Sequence, residues 1–278
     1  MAVPTRPAVS AASALTRLEE RAASLLPLPP LDAASYARGH AAFEACSDQR
    51  QLLAGALTDR LVAGSPGSVL SVGCGDGALD EQVARRLWAT GPLRYASDPL
   101  RYEGVDPNPQ SAVRFLDRMR EVPGVQASAA VERAEVLRRT QPVDAVLAIH
   151  CLYYVPDLAL ALHQLAALVR PGGRLLVALA PAGALNALAL RLAPSTGGHR
   201  QWWAHDLAAA LASTGRTAEQ VTIDARLSLG GDPPRAVLDF VAQAGLPDAL
   251  VPAVGDYLDA IGDDDDIAHP VELFTVSV

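Results

Sequence analysis

The chain has 278 residues, half of them hydrophobic and 19% charged, and its 31 acidic against 23 basic side chains give a net charge of −8. All 23 basic residues are arginine, which excludes lysine-dependent chemistry: a Schiff base to pyridoxal phosphate, a G-x-x-x-x-G-K phosphate loop and a kinase ATP clamp. The acidic balance argues against nucleic acid as a partner, because neutralising phosphates needs a basic face.

Residues 1–34 read as a Pro-containing tail followed by a short amphipathic helix, Ser10–Leu26, stopped by Pro27-Leu28-Pro29-Pro30. The apolar run Ala8–Leu15 is broken at Arg17, Glu19, Glu20 and Arg21, too short for a signal peptide or a membrane span. A cytoplasmic location is the resulting expectation. A second helical stretch over Ala34–Val62 closes at the Gly64-Ser65-Pro66-Gly67 turn. From there short apolar runs alternate with helical stretches, the mark of a parallel α/β sheet. Strands are expected at Ser68–Val72, Arg101–Val105, Val125–Ala129, Ala145–Ile149 and Arg174–Ala180. Helices are expected at Ala78–Ala89, Gln110–Arg120, Glu132–Arg139 and Leu158–Val169. After Pro181 come helices Ala184–Leu192 and Ala204–Ser213, strand Val221–Leu227, helices Pro234–Ala244 and Asp248–Ile261, and strand Leu273–Val278. The run Asp263–Asp266 reads as a solvated loop, since four consecutive side chains cannot converge on one ion. Cys46, Cys74 and Cys151 form no C-x-x-C pair, so neither a zinc site nor a disulfide framework is expected.

Three motifs carry chemistry. In the first, strand Val69–Val72 runs into Gly73-Cys74-Gly75-Asp76-Gly77 and then a helix. Its glycines permit positive φ and close backbone approach to a ligand, above a helix N-terminus. Gly73-x-Gly75-x-x-Ala78 also satisfies the dinucleotide fingerprint, which leaves a nicotinamide enzyme open. In the second, a strand ends at Asp106-Pro107, an acid placed to accept from both hydroxyls of a ribose. Gly77 and Asp106 lie 29 residues apart, longer than the roughly 20 of a dinucleotide unit. The third runs from Asp144 through Ile149, His150, Cys151, Leu152, Tyr153 and Tyr154, then a helix, then Arg170-Pro171-Gly172-Gly173 and a strand.

Together, in this order, the three motifs over residues 68–180 resemble the class I S-adenosylmethionine-dependent methyltransferases. The resemblance implies an α/β, Rossmann-like fold: a seven-stranded, mostly parallel sheet with helices on both faces, an N-terminal helical cap and a C-terminal cover. It places one methyltransferase domain over 35–278, divided into a cap helix (35–64), a cofactor-binding core (65–180) and a substrate cover with the last strands (181–278). It implies S-adenosyl-L-methionine as cofactor, with S-adenosyl-L-homocysteine as product. Gly73, Cys74, Gly75 and Gly77 would then lie against the cofactor's methionine and ribose part, Asp106 and Pro107 at the ribose, Glu132 at the adenine amine, and Ile149 beside them. A narrower similarity is to histamine N-methyltransferase and its bacterial relatives, a setting of secondary metabolism. It rests on the helix Tyr36-x-x-x-His40-x-x-Phe43, on Leu152-Tyr153-Tyr154-Val155, and on the order Gln201-Trp202-Trp203, Asp206-Leu207 and a closing apolar strand. The polar groups that define histamine are not carried over: Ser47-Asp48-Gln49-Arg50 replaces a glutamate and His150 a glutamine. A different acceptor is therefore expected.

His150 falls at the C-terminal end of the fourth strand, where open parallel sheets bind ligands, and a histidine there suits proton abstraction or substrate hydrogen bonding. Tyr153 and Tyr154 offer aromatic faces to a cation, or pack the following helix. Tyr36, His40 and Phe43 share one helix face and, with Gln49, Trp202 and Trp203, would close over the substrate or seat the cap. The expected reaction is methyl transfer to a small molecule, first an amine nitrogen and alternatively a hydroxyl or carboxyl; a cofactor-binding protein that catalyses no methylation is the other alternative. A monomer or homodimer, no membrane association and no metal complete the expectations.

Overall fold

The computed structural model of the protein describes residues 10–90, 98–139, 141–193, 201–230, 233–263 and 266–278. In chain order the elements are α1 (Ala11–Ala22), α2 (Ala33–Ala45), α3 (Gln49–Val62), β1 (Ser68–Val72), α4 (Ala78–Ala89), β2 (Leu100–Asp106), α5 (Pro109–Arg120), β3 (Val125–Val131), β4 (Val143–Ile149) and α6 (Leu158–Ala167). They continue as β5 (Val169–Leu179), α7 (Ala187–Leu192), α8 (Ala204–Ser213), β6 (Ala218–Ile223), β7 (Arg226–Ser228), α9 (Arg235–Ala242), α10 (Val251–Ile261), β8 (Asp266–Ala268) and β9 (Val271–Ser277).

The chain divides into two compact units. The larger comprises the described residues of 50–181, 201–223 and 271–278. Its sheet has seven strands in the order β3-β2-β1-β4-β5-β9-β6, parallel except for β9, which runs antiparallel to both of its neighbours. The expected seven-stranded, mostly parallel architecture is present. β1 is buried along its whole length and β4 is buried from Ala145 to Ala148, as unbroken apolar runs require when both faces of a sheet are covered. One face packs Leu70, Val72, Val146, Val177 and Phe274 against α6 and α8. The other packs Val69, Leu147, Leu176 and Leu273 against α3, α4 and α5. The order reverses direction between β1 and β4, so the C-terminal ends of β1, β2 and β4 flank a topological switch point, the crevice in which such sheets bind ligands.

The smaller unit comprises the described residues of 10–49, 182–193 and 224–270. Helices α1, α2, α7, α9 and α10 bury Leu18, Phe43, Leu188, Val241 and Tyr257 in a core of their own, and β7 pairs with β8 in a two-stranded sheet.

Three expectations are corrected. The helix drawn over 34–62 is two helices, because Ser47 bridges Leu227 and its hydroxyl accepts the N–H of Gln49, ending α2 and starting α3. The helix drawn over 132–139 is a single 3₁₀ turn, Ala134–Val136. Arg139 there pairs with both Glu103 and Glu132, and Leu137 turns into the core. The strand drawn over 221–227 is β6 and β7, with Ile223 and Leu227 buried in different cores.

Candidate active site

The turn after β1 is shaped by what crowds it. Gly73 has φ +66°, and a Cβ there would lie 2.3 Å from Cβ of Cys151, so the loops after β1 and β4 meet where only glycine fits. The Gly73 and Cys74 N–H groups both donate to the Val105 carbonyl, at 2.7 and 3.1 Å, drawing the turn toward the end of β2. Gly77, at φ +77°, faces Phe115 in the same way, 2.9 Å from where a Cβ would stand. Gly75 is different: at φ +55°, a Cβ there would meet nothing within 4 Å among the described residues beyond its chain neighbours. That open backbone is held by Asp106, whose Oδ2 accepts the Gly75 N–H at 3.0 Å while Oδ1 accepts the Asn108 N–H at 2.8 Å. A carboxylate has about four lone-pair sites, so Asp106 shapes the turn and keeps acceptor capacity for a ligand diol. Pro107 and Asn108 lead directly into α5, with the Asn108 side chain accepting the Gln110 N–H. The Cys74 thiol is pushed well up by burial and the Cys151 thiol up to about 12, so both stay protonated, as packing thiols do.

Beside this turn, β4 ends at Ile149 and the chain turns sharply at His150, which has φ +52°. A non-glycine residue in the left-handed region is strained by roughly 1–2 kcal/mol and needs local anchoring. The His150 N–H donates to Ala178 O at 3.0 Å, and Nδ1 lies 2.7 Å from Tyr153 Oη. The two rings are nearly parallel, with centroids 6.0 Å apart. Tyr153 Oη also accepts the Ala180 N–H at 2.9 Å, which ties the pair to the end of β5. Trp203 stands edge-on to Tyr153, with centroids 5.9 Å apart. Its indole N–H is buried and has no hydrogen-bond partner among the described residues. Trp202 is spent structurally, its indole donating to Val155 O at 2.6 Å. Tyr154 is 38% exposed and its hydroxyl accepts from Gln201.

The family of methyltransferase domains matches residues 39–221, more than half of the chain. The protein belongs to that family. Over 109 residues the methyltransferase is 31% identical to the ubiquinone biosynthesis O-methyltransferase of Aeromonas salmonicida (strain A449), covering 39% of this chain and 41% of that protein. It thus spans less than half the length of that curated relative. In fold it is similar to the plantazolicin methyltransferase BpumL, solved with a pentazolic desmethylPZN analog and SAH (TM-score 0.53, 13% identity, covering 95% of this chain and 98% of that one). It is likewise similar to the YcgJ protein from Bacillus subtilis (TM-score 0.50, 14% identity, covering 76% and 91%).

Glu132 of the methyltransferase is ion-paired with Arg139, 3.2 Å away. Asp144, which opens the third motif, sits at the start of β4, where it accepts from Gly67 N–H, Ser68 Oγ and Arg170; it staples the far end of the sheet. Tyr36, His40, Phe43 and Gln49 belong to the smaller unit. There the three rings gather round Phe240, with centroids 5.1–5.4 Å from it. Buried Gln49 donates to His269 O at 2.8 Å. Two polar residues went unnoticed in the sequence. Buried His269 has Nδ1 2.8 Å from Ser47 Oγ, across 222 positions of chain, so no local pattern announces it. Asp80, buried in the first turn of α4, accepts from Tyr102 Oη at 2.8 Å. Its place there looks like an ordinary helix N-terminal acid.

Proposed function

We propose that the protein transfers a methyl group from S-adenosylmethionine to the amine nitrogen of a small molecule, with His150 taking the proton that the nitrogen must lose. The His150–Tyr153 pair at the end of β4, beside the open turn at Gly75, carries this reading. The residues present suit the cofactor: Gly75 leaves open the space a Cβ would take, and Asp106 keeps lone pairs for both ribose hydroxyls. When bound, the sulfonium supplies an electrophilic methyl for in-line displacement. Glu132 is the residue assigned to the adenine amine, sharing its carboxylate with Arg139.

Tyr153 Oη accepts from the Ala180 N–H and, with the His150 proton on Nδ1, from that N–H as well. His150 Nε2 is then the basic nitrogen, and the imidazolium formed on protonation is stabilised by the Tyr153 oxygen. The contact of Nδ1 with Tyr153 orients the ring, and the positive φ at His150 is in keeping with strain concentrated at functional positions. The rings of Tyr153 and Trp203 give a cationic group an aromatic wall, worth roughly 0.5–2 kcal/mol. The buried Trp203 N–H, without a hydrogen-bond partner among the described residues, supports an acceptor molecule that also carries a carbonyl, ether or carboxylate oxygen. The aromatic face of α2 and the Leu152-Tyr153-Tyr154-Val155 segment support kinship with the histamine N-methyltransferase-like group, with an amine other than histamine. A second reading, transfer to a hydroxyl, is favoured by the O-methyltransferase named above.

The test is a screen with methyl-labelled S-adenosylmethionine against small amines and phenols, with the product's methylated atom assigned by mass spectrometry and NMR. Transfer to amines is expected; label appearing only on oxygen replaces the first reading by the second. With an active acceptor, His150→Gln should lower kcat by about 10²–10⁴ and leave S-adenosylhomocysteine affinity unchanged. Asp106→Asn should weaken that affinity about tenfold or more, in line with 1.5–3 kcal/mol for a hydrogen bond to a charged group. Undiminished turnover in His150→Gln across pH 6–9 removes His150 from the reaction.

A further inference from the structure

At the opposite end of the same sheet, three adjacent strands change character together. On the face packed by α3, β5 passes from buried Ala178 and Leu176 to Arg174, and β9 from buried Leu273 to Thr275 and Ser277. β6 passes from Ile223 and Val221 to Glu219, with Thr217 just before it. Register aligns the polar positions: Arg174 is opposite Ser277, and Thr275 opposite Glu219. Helix α3 covers the apolar part with Leu53, Leu57 and Leu61 and extends Arg60 over the polar part. The result is a cleft of about 340 Å³ lined by Arg60, Arg174, Thr217, Glu219, Thr275 and Ser277.

The two arginines are engaged differently. All three Arg60 nitrogens are occupied: Nε donates to Thr275 Oγ1 at 3.0 Å, Nη1 to Ala56 O at 3.3 Å and Nη2 to Glu219 at 3.2 Å. Because Thr275 Oγ1 accepts that bond, its own hydrogen is available to another acceptor. Arg174 donates from Nη1 to the Arg60 carbonyl, and its Nε and Nη2 have no hydrogen-bond partner among the described residues. The cleft therefore presents the Nε–Nη2 side of a guanidinium, anchored from behind by a helix carbonyl, together with three hydroxyls. Glu219, the one acid among the described lining residues, is paired with Arg60, which leaves those residues a net charge of +1. The Nε–Nη2 edge of a guanidinium matches two oxygens of a carboxylate or phosphate.

We propose that this cleft is an accessory binding site for the oxyanion group, phosphate or carboxylate, of a small molecule, separate from the methyl-transfer site. Arg174 is level with Ala145 on β4, four residues before Ile149, which puts it about 13 Å along the strands from the His150 end. Nothing in methyl transfer calls for an anion there, so occupancy is read in the stability of the fold.

The full chain is titrated with inorganic phosphate and, separately, with succinate, each against sodium chloride at equal ionic strength, by calorimetry and thermal unfolding. A saturable stabilisation beyond the chloride control is expected from at least one anion. Phosphate alone acting identifies a phosphate-bearing ligand, and succinate alone a carboxylate-bearing one. Arg174→Gln should abolish the effect and keep S-adenosylhomocysteine affinity within twofold, which shows the variant folded. If Arg174→Gln does not fold, Thr217→Val combined with Ser277→Ala should weaken the anion several-fold. Stabilisation no greater than that of chloride, or undiminished in the folded variants, overturns the site. The methyl-label screen is unaffected by either outcome.

Discussion

Two buried titratable residues pull stability in opposite directions with pH. Burial pushes the His269 pKa down to about 4, whereas an unfolded histidine titrates near 6.5. The unfolded chain thus takes up a proton that the folded one refuses. The stabilisation is complete above about pH 6.5 and is lost as pH falls toward 4, by about 3 kcal/mol in all. Burial pushes the Asp80 carboxyl up to about 6, despite hydrogen bonds from Ser71 and Tyr102 that favour its charged form. Here the folded state holds the proton more tightly, so stability falls as pH rises from about 4 to 6, by a similar amount. The two contributions nearly offset each other between pH 4 and 6, so in urea titrations from pH 4 to 7 His269→Gln should gain stability as pH falls, Asp80→Asn should lose it, and the parent chain should lie between them. A pH dependence identical in all three proteins would refute both assignments. Asp106 was legible in the sequence, because an acid between an apolar run and a proline has few other places to be than a strand end. His269 was not, because what makes it notable is Ser47, Phe43 and Gln49, all remote in the chain.

At the scale of elements, the parallel core was readable and the small unit less so, for a physical reason. β1 and β4 are buried on both faces and so must be continuous apolar runs bounded by turns. β7 and β8 are three residues each, bury single side chains such as Leu227 and Ile267, and leave no period to detect. The helix expected across 46–48 failed because helical spacing persists on both sides of a break made by contacts with Arg226 and Leu227. Gly39 tests how closely α2 and α9 approach. On intrinsic propensity Gly39→Ala gains about 1 kcal/mol in a helix interior. Its Cβ, however, would stand 2.6 Å from Ala236 O and 2.8 Å from Phe240 Cβ, an overpacking that costs roughly 1–3 kcal/mol. Chemical denaturation should show net destabilisation; a more stable variant would mean the helices separate freely.

Across the whole molecule, the three motifs read in the sequence lie in the stretch from β1 to β5, while β9 links that stretch to β6 in the sheet. Among the described residues no helix is long and apolar enough to cross a membrane. β9 lies between β5 and β6 and hydrogen-bonds to both. Deleting residues 271–278 strips both strands of a neighbour and removes Leu273, Phe274 and Val276 from the cores. The truncated chain should lose cooperative thermal unfolding and S-adenosylhomocysteine binding; retention of either would show that five strands suffice.

The same placement fixes an order of events during synthesis. Ile223, the last residue of β6, leaves the ribosome 48 residues before Val271, the first of β9. Through that interval β6 has no strand to pair with, and β5 waits with a free edge of buried, apolar character. Unpaired edges of this kind are templates for pairing with other chains. The methyltransferase therefore passes through a period in which its most exposed strands are those that end up beside β9, and a slow stretch of translation between positions 224 and 270 would lengthen it.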